Sequence, residues 1–112
     1  MADFGMLLSS KRNEAGLSLQ QLQEELWRQK ELKVSRSFLN ILEKGNKKPP
    51  YDLTIALAVV LDIDVKEALR AAYFTRVTYD YKREQAYLQK ALERNKLTSI
   101  KLDKIAKQPE ID

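Results

Sequence analysis

Residues 28–48 concentrate positive charge: Arg28, Lys30, Lys33, Arg36, Lys44, Lys47 and Lys48 stand against only Glu31 and Glu43. The 112-residue chain carries 20 Lys and Arg against 16 Asp and Glu, a net +4, so all of the excess lies in this one stretch. Lys and Arg at such density attract a polyanion and displace its counterions, which is binding chemistry rather than bond-making. The catalytic repertoire is narrow, because the chain has no His and no Cys. Without imidazole there is no His general base and no Ser-His-Asp triad. Without a thiol there is no disulfide, no thiolate nucleophile and no Cys-type zinc or iron–sulfur site. A metal would rest on carboxylates alone, and no EF-hand spacing occurs. With three Gly in the chain, none is grouped into a phosphate-cradling loop. The expectation is a non-enzyme with no metal and no cofactor.

The elements that must position these charges read as consecutive helices. Low Gly and Pro favour helices over a turn-rich β fold, and the fold class expected is all-α. Phe4, Leu7 and Leu8 open a first helix that stops at Ala15-Gly16, where Gly suits the left-handed closing position. Ser18 caps a second helix, and Gln21 completes a capping box. Leu19, Leu22 and Leu26 form its apolar stripe. Ser35 caps a third helix with Val34, Leu39 and Leu42 inward, ended by Lys44-Gly45. The consecutive prolines of Asn46-Lys47-Lys48-Pro49-Pro50 make that stretch a loop. A fourth helix, apolar on most sides, runs from Tyr51 to Leu61, and Asp62 or Asp64 opens a short fifth helix through Ala72. The β-branched and aromatic stretch from Thr75 to Tyr81 reads as a connector or a frayed helix start. A further amphipathic helix reaches about Asn95, and Thr98 or Ser99 caps a last one with Ile100, Leu102 and Ile105. The expected organisation is a domain over 1–74 and a helical appendage over 75–112.

Three blocks of this pattern resemble the phage-repressor, Cro-like and XRE-like helix-turn-helix family. They are Phe4-Gly5, Leu8, Arg12 and Ala15 to Ser18; then Val34 through Gly45; then Pro49, Leu57-Ala58, Leu61, Ile63 and Leu69. The resemblance spans roughly residues 4–70, with the blocks in family order. It implies a five-helix domain that places its third helix in the DNA major groove. It further implies base contacts from Arg36, Ser37, Asn40 and Ile41. Arg pairs bidentately with guanine, Asn with adenine, and Ile meets a thymine methyl. Ser35, Lys44, Asn46, Lys47, Lys48 and Gln20 are then expected to contact phosphates, which fix register rather than sequence. Phe38 is expected to pack rather than bind. Arg12 and Glu43 match family positions that form a structural ion pair between the first and third helices.

The chain departs from the family between Leu26 and Val34, where about five extra residues lengthen the turn. Gln, Lys and Glu are good helix formers and no Gly or Pro intervenes, so an extended second helix is expected. Trp27 and Leu32 are expected to pack beneath it, and Arg28, Lys30 and Lys33 to form a basic knob beside the DNA backbone. Leu19 and Gln23 stand where the family often has Gln and Ala. Such domains usually act as dimers on palindromic half-sites. Tyr81, Tyr87, Leu88 and Leu92 in the appendage are expected to form the dimer surface. The function expected is a sequence-specific DNA-binding regulator, a repressor acting as a homodimer. The alternatives are an antitoxin whose appendage binds a toxin, and a protein-interaction module without DNA binding. No signal peptide opens the chain, and its longest apolar run, seven residues, is far too short to span a bilayer, so the expectation is a cytoplasmic protein of bacterial or phage type with no membrane contact.

Overall fold

The computed structural model describes residues 3–95. Among them five α-helices and no strand occur: α1 Phe4–Glu14, α2 Leu19–Lys30, α3 Arg36–Glu43, α4 Tyr51–Val60 and α5 Val65–Arg94. The fold class is all-α over these residues. Contacts divide the chain into two units between Tyr79 and Asp80.

The helix starts follow side-chain chemistry. Asp3 accepts the Met6 N–H at 2.8 Å. Ser18 accepts the Gln21 N–H at 3.0 Å while the Gln21 side chain accepts the Ser18 N–H at 2.8 Å, a full capping box. Ser35 accepts the Phe38 N–H at 3.0 Å, and Asp64 accepts the Lys66 N–H at 2.8 Å. Each bond satisfies an amide that the helix itself cannot. Helix ends are closed by residues of positive φ, Gly16 and Gly45 among them. At Gly45 the Asn46 N–H reaches back to Ile41 and the Gly45 N–H to Leu42, both at 3.1 Å, the paired closure of a Schellman turn. Asp62, at φ 55°, closes α4 in the same way through Ile63 and Ala58.

The core gathers Phe4 and Leu8 from α1, Leu22 and Leu26 from α2, and Leu39 and Leu42 from α3. Leu53, Leu57 and Leu61 join it from α4 and its end, with Ile63 just beyond and Ala68, Ala71 and Ala72 from α5. Helix α3 packs on both α1 and α2, and α2 also packs on α4. The approach of α1 to α3 is close enough to require glycine. A Cβ on Gly5 would stand 2.5 Å from the Glu43 carbonyl oxygen and 2.6 Å from that of Leu42.

Two expectations are corrected. The stretch 75–81 is no connector: α5 runs unbroken from Val65 to Arg94, absorbing the short fifth helix and the one expected after it. Thr75 ties its β-branched start to α1. It is buried, and its hydroxyl accepts the Phe4 N–H at 2.8 Å, the unpaired first amide of α1. Tertiary packing there outweighs local propensity. Trp27 does not pack beneath the turn but lies 58% exposed, while Leu32 does pack against the core. The last expected helix, with Ile100, Leu102 and Ile105, lies outside the described residues. No described helix is long and apolar enough to cross a membrane.

Candidate nucleic-acid interface

Helix α3 sorts its side chains by position. At 100° per residue, Arg36, Asn40, Lys44, Ser37 and Ile41 fall within an arc of about 140°, and Phe38, Leu42 and Leu39 lie across from it within about 100°. Leu39 and Leu42 are buried and Phe38 packs half-buried against the core, as its sequence context suggested. Arg36, Ser37 and Lys44 are exposed, while Asn40 and Ile41 are half-buried in the middle of the outward face. This exposed strip therefore offers a guanidinium near its start, a carboxamide at its centre and an ammonium at its end. Ser35 is exposed and occupied as the cap of α3.

The face is held from behind by Arg12 and Glu43. Arg12 Nε donates to Glu43 Oε2 at 2.6 Å and Arg12 Nη2 to Oε1 at 3.0 Å, a two-pronged pair. Arg12 Nη1 also donates to the Leu17 carbonyl at 2.8 Å. The Arg12 and Glu43 side chains retain only 15% and 10% of their exposure. Hydrogen bonding to Glu43 raises the Arg12 pKa further above its ordinary value, against the lowering effect of burial. The pair joins α1, the start of α2 and the last turn of α3.

The basic residues around α3 differ in what occupies them. Lys30, Lys33, Arg36, Lys44 and Lys47 make no ion pair or side-chain hydrogen bond among the described residues. Arg28 is committed: its guanidinium binds Glu25 at 2.5 Å, one helical turn back. Glu25 also accepts from Gln29 at 3.0 Å, and these two bonds, Gln29 foremost, hold its carboxyl below the usual range. Of the expected basic knob, Lys30, the last residue of α2, and Lys33 carry no such pair, while Arg28 remains exposed beside Glu25. Helix α2 runs to Lys30, and Glu31 in the left-handed conformation ends it and turns the chain toward α3, so residues 31–35 form a loop where the sequence suggested further helix. Between them, Gln23, Glu24, Trp27, Leu32, Lys33 and Val34 line a groove of about 430 Å³. Gln20, in the first turn of α2, is exposed and donates to Glu24 at 3.4 Å.

The loop after α3 is fastened from α5, a feature the sequence reading passed over. Arg76 Nη1 donates to the Pro49 carbonyl at 3.1 Å, and its guanidinium carbon sits 4.1 Å from the Tyr51 ring centre. Lys48 Nζ lies 5.7 Å from the centre of the Tyr79 ring. Asn46 and Lys47 are exposed between these anchors and Gly45. Only the density of tyrosines after residue 72 hinted at such contacts, and the long separation in sequence hid their target.

The four residues expected to form a dimer surface do not share one face. Tyr81, Leu88 and Leu92 fall within about 40° of one another around α5, but Tyr87 stands roughly 120° from Tyr81. Tyr87 lines a shallow depression with Asp80, Arg83 and Glu84 instead. A separate apolar groove of about 620 Å³ occupies the earlier part of α5, lined by Lys66, Leu69, Arg70, Tyr73, Phe74 and Val77. Among the described residues no cluster of carboxylates is arranged to hold a metal ion. Compared with protein-family models, curated proteins and solved structures, the chain finds no match in any of the three.

Proposed function

We propose that the chain is a sequence-specific DNA-binding regulator of the helix-turn-helix repressor type, with α3 as the helix that enters the major groove. One observation carries the reading. Helix α3 is buried along Leu39 and Leu42 and presents Arg36, Ser37, Asn40, Ile41 and Lys44 together on its outward side. Arg36 reads guanine by two parallel hydrogen bonds, Asn40 reads adenine, and Ile41 meets a thymine methyl. Lys30, Lys33, Lys44 and Lys47 bind phosphates, and Asn46, Lys48, Ser35 and Gln20 border them. Phosphate neutralisation supplies most of the affinity, and α3 supplies the discrimination. No chemical step is involved: the protein acts by occupying an operator, as a dimer that covers two half-sites and excludes transcription.

A partner for α5 is a second reading, favoured by the aromatic groove at Leu69, Tyr73, Phe74 and Val77. That face suits either the second copy of a dimer or the toxin of a toxin–antitoxin pair.

The test of DNA binding is a mobility shift with the DNA immediately upstream of the chain's own gene. Specific binding is expected, with log affinity falling at a slope of about −7 against log salt for a dimer, roughly −3.5 per copy, if the four lysines of each copy neutralise phosphates. Arg36→Ala is expected to weaken binding by about 1–3 kcal/mol and to relax specificity at one base pair. A chain with neither a specific band nor salt-dependent affinity is not a DNA-binding regulator.

A further inference from the structure

We propose that Arg76, Tyr51 and Tyr79 are positioning residues of the nucleic-acid interface: they hold the 46–48 loop in its binding shape without touching DNA themselves. The proposal rests on the DNA-binding reading of α3 and adds to it a part of the molecule far away in sequence. Three residues of loop lie between two fixed points. On one side Gly45 closes α3, and the Asn46 N–H is tied to the Ile41 carbonyl at 3.1 Å. On the other side the Pro49 side chain is fully buried. Its carbonyl oxygen accepts from Arg76 Nη1 at 3.1 Å, and the same guanidinium stacks on Tyr51 at 4.1 Å. Between these points Lys48 Nζ is drawn over Tyr79 at 5.7 Å.

These contacts do two things for binding. They restrict the loop before DNA arrives, so ordering it is not charged against affinity at the moment of binding. They also hold Lys47 on a short, fixed tip directly after the last turn of α3, where a phosphate beside the major groove passes. Arg suits the clamp for a specific reason. Its planar fork lies flat on a ring while its edge N–H groups donate to a carbonyl, a stacked geometry that the compact ammonium of Lys does not reproduce. Tyr51 and Tyr79 supply ring faces whose negative quadrupoles attract the two cations.

The test uses changes that leave the formal charge intact, so that lost charge cannot explain lost affinity. Arg76→Lys, Tyr51→Leu and Tyr79→Leu are each measured in the full chain for affinity to a mixed-sequence DNA duplex over a range of salt. Hydrogen exchange at the Asn46, Lys47 and Lys48 amides is followed in parallel. Arg76→Lys combined with Tyr51→Leu is expected to weaken binding by about 5–10-fold while the salt slope stays constant, because no phosphate contact is removed. Lys47→Ala is the contrast, expected to reduce the slope by about 1. Exchange at residues 46–48 is expected to quicken in the clamp variants and to remain as it was in Lys47→Ala. Unchanged affinity, or unchanged exchange, in all three clamp variants overturns the proposal. If affinity falls together with the slope, Arg76 touches phosphate itself and the positioning role is wrong. A wild-type chain that binds no duplex fails the DNA-binding reading, and with it the role assigned to the clamp. Exchange at the three amides then reports separately whether the clamp orders the loop.

Discussion

Arg12 and Glu43 are separated by 31 positions and meet through two hydrogen bonds on the flank of α3, between its buried and outward sides. Their worth comes from partial burial: the pair is screened less by salt than an exposed pair, and removing one partner leaves the other without its counter-charge. Glu43→Ala is therefore expected to lower stability by about 2 kcal/mol, because Arg12 keeps its bond to the Leu17 carbonyl but loses its counter-charge. Thermal melts of Glu43→Ala, Arg12→Ala and the double variant check this, and the double variant is expected to lose less than the two singles added together. DNA affinity is expected to fall in the same variants, since α3 loses its tie to α1. If affinity falls with no loss of stability, Glu43 is not structural. The two residues stood out in the sequence only through resemblance to a family pattern, because charge alone does not single out one pair among 36 charged side chains. Gly5 was part of the same pattern. Its requirement is visible only where the backbones of α1 and α3 meet, with no space for a Cβ beside the Glu43 carbonyl.

Helices α1 to α4 were readable because their ends are written in local chemistry. Ser18 with Gln21 and Ser35 make their capping bonds within three residues at the starts of α2 and α3, Gly16 and Gly45 take the positive φ that follows α1 and α3, and Pro49-Pro50 mark the start of α4. The course of α2 as far as Lys30 was readable as an unbroken run of helix formers, but its stop was not, because Glu31, Leu32 and Lys33 continue that run and only the left-handed Glu31 ends the helix. Helix α5 was not, because the residues at its middle run against local propensity and their contacts lie far away in sequence. Read locally, Thr75, Val77, Thr78 and Tyr79 favour extended structure; in the fold, the Thr75 hydroxyl meets the Phe4 N–H at 2.8 Å in a buried site. Thr75→Val keeps the shape and removes the acceptor, and it is expected to cost about 1–2 kcal/mol by leaving the first amide of α1 unpaired. Thr75→Ser is expected to retain most of that stability. Urea unfolding of the two variants, with exchange of the Phe4 amide, separates a lost hydrogen bond from altered packing. Equal stability of Thr75→Val and wild type would mean that the bond contributes nothing to stability.

The distribution of burial along the chain has a consequence for assembly. Every buried side chain among the described residues lies between Phe4 and Thr75, and from Asp80 to Asn95 only Ala91 and Leu92 are even half-buried. The expected boundary at 74 would cut away Thr75, Arg76 and Tyr79, which hold α1 and the 46–48 loop. A chain ending at Tyr79 keeps all three and the whole of the core. It is expected to fold with a melting temperature within a few degrees of the full chain, since a loss of about 1 kcal/mol shifts a domain of this size by about 4–8 °C. Its oligomeric state then tests the appendage. Tyr81, Leu88 and Leu92 share a stripe that the truncation removes, whereas the groove at Leu69, Tyr73, Phe74 and Val77 remains intact. If the appendage makes the dimer, sedimentation is expected to show a dimer for the full chain and a monomer for residues 1–79. DNA affinity would fall with the loss of the second half-site, and the salt slope would be roughly halved. A truncated chain that still dimerises takes the appendage out of the interface and moves it to the earlier part of α5. The monomeric outcome carries its own control: adding Leu88→Glu to the full chain introduces a charge into the stripe while leaving every buried residue in place, and it too is expected to yield a folded monomer.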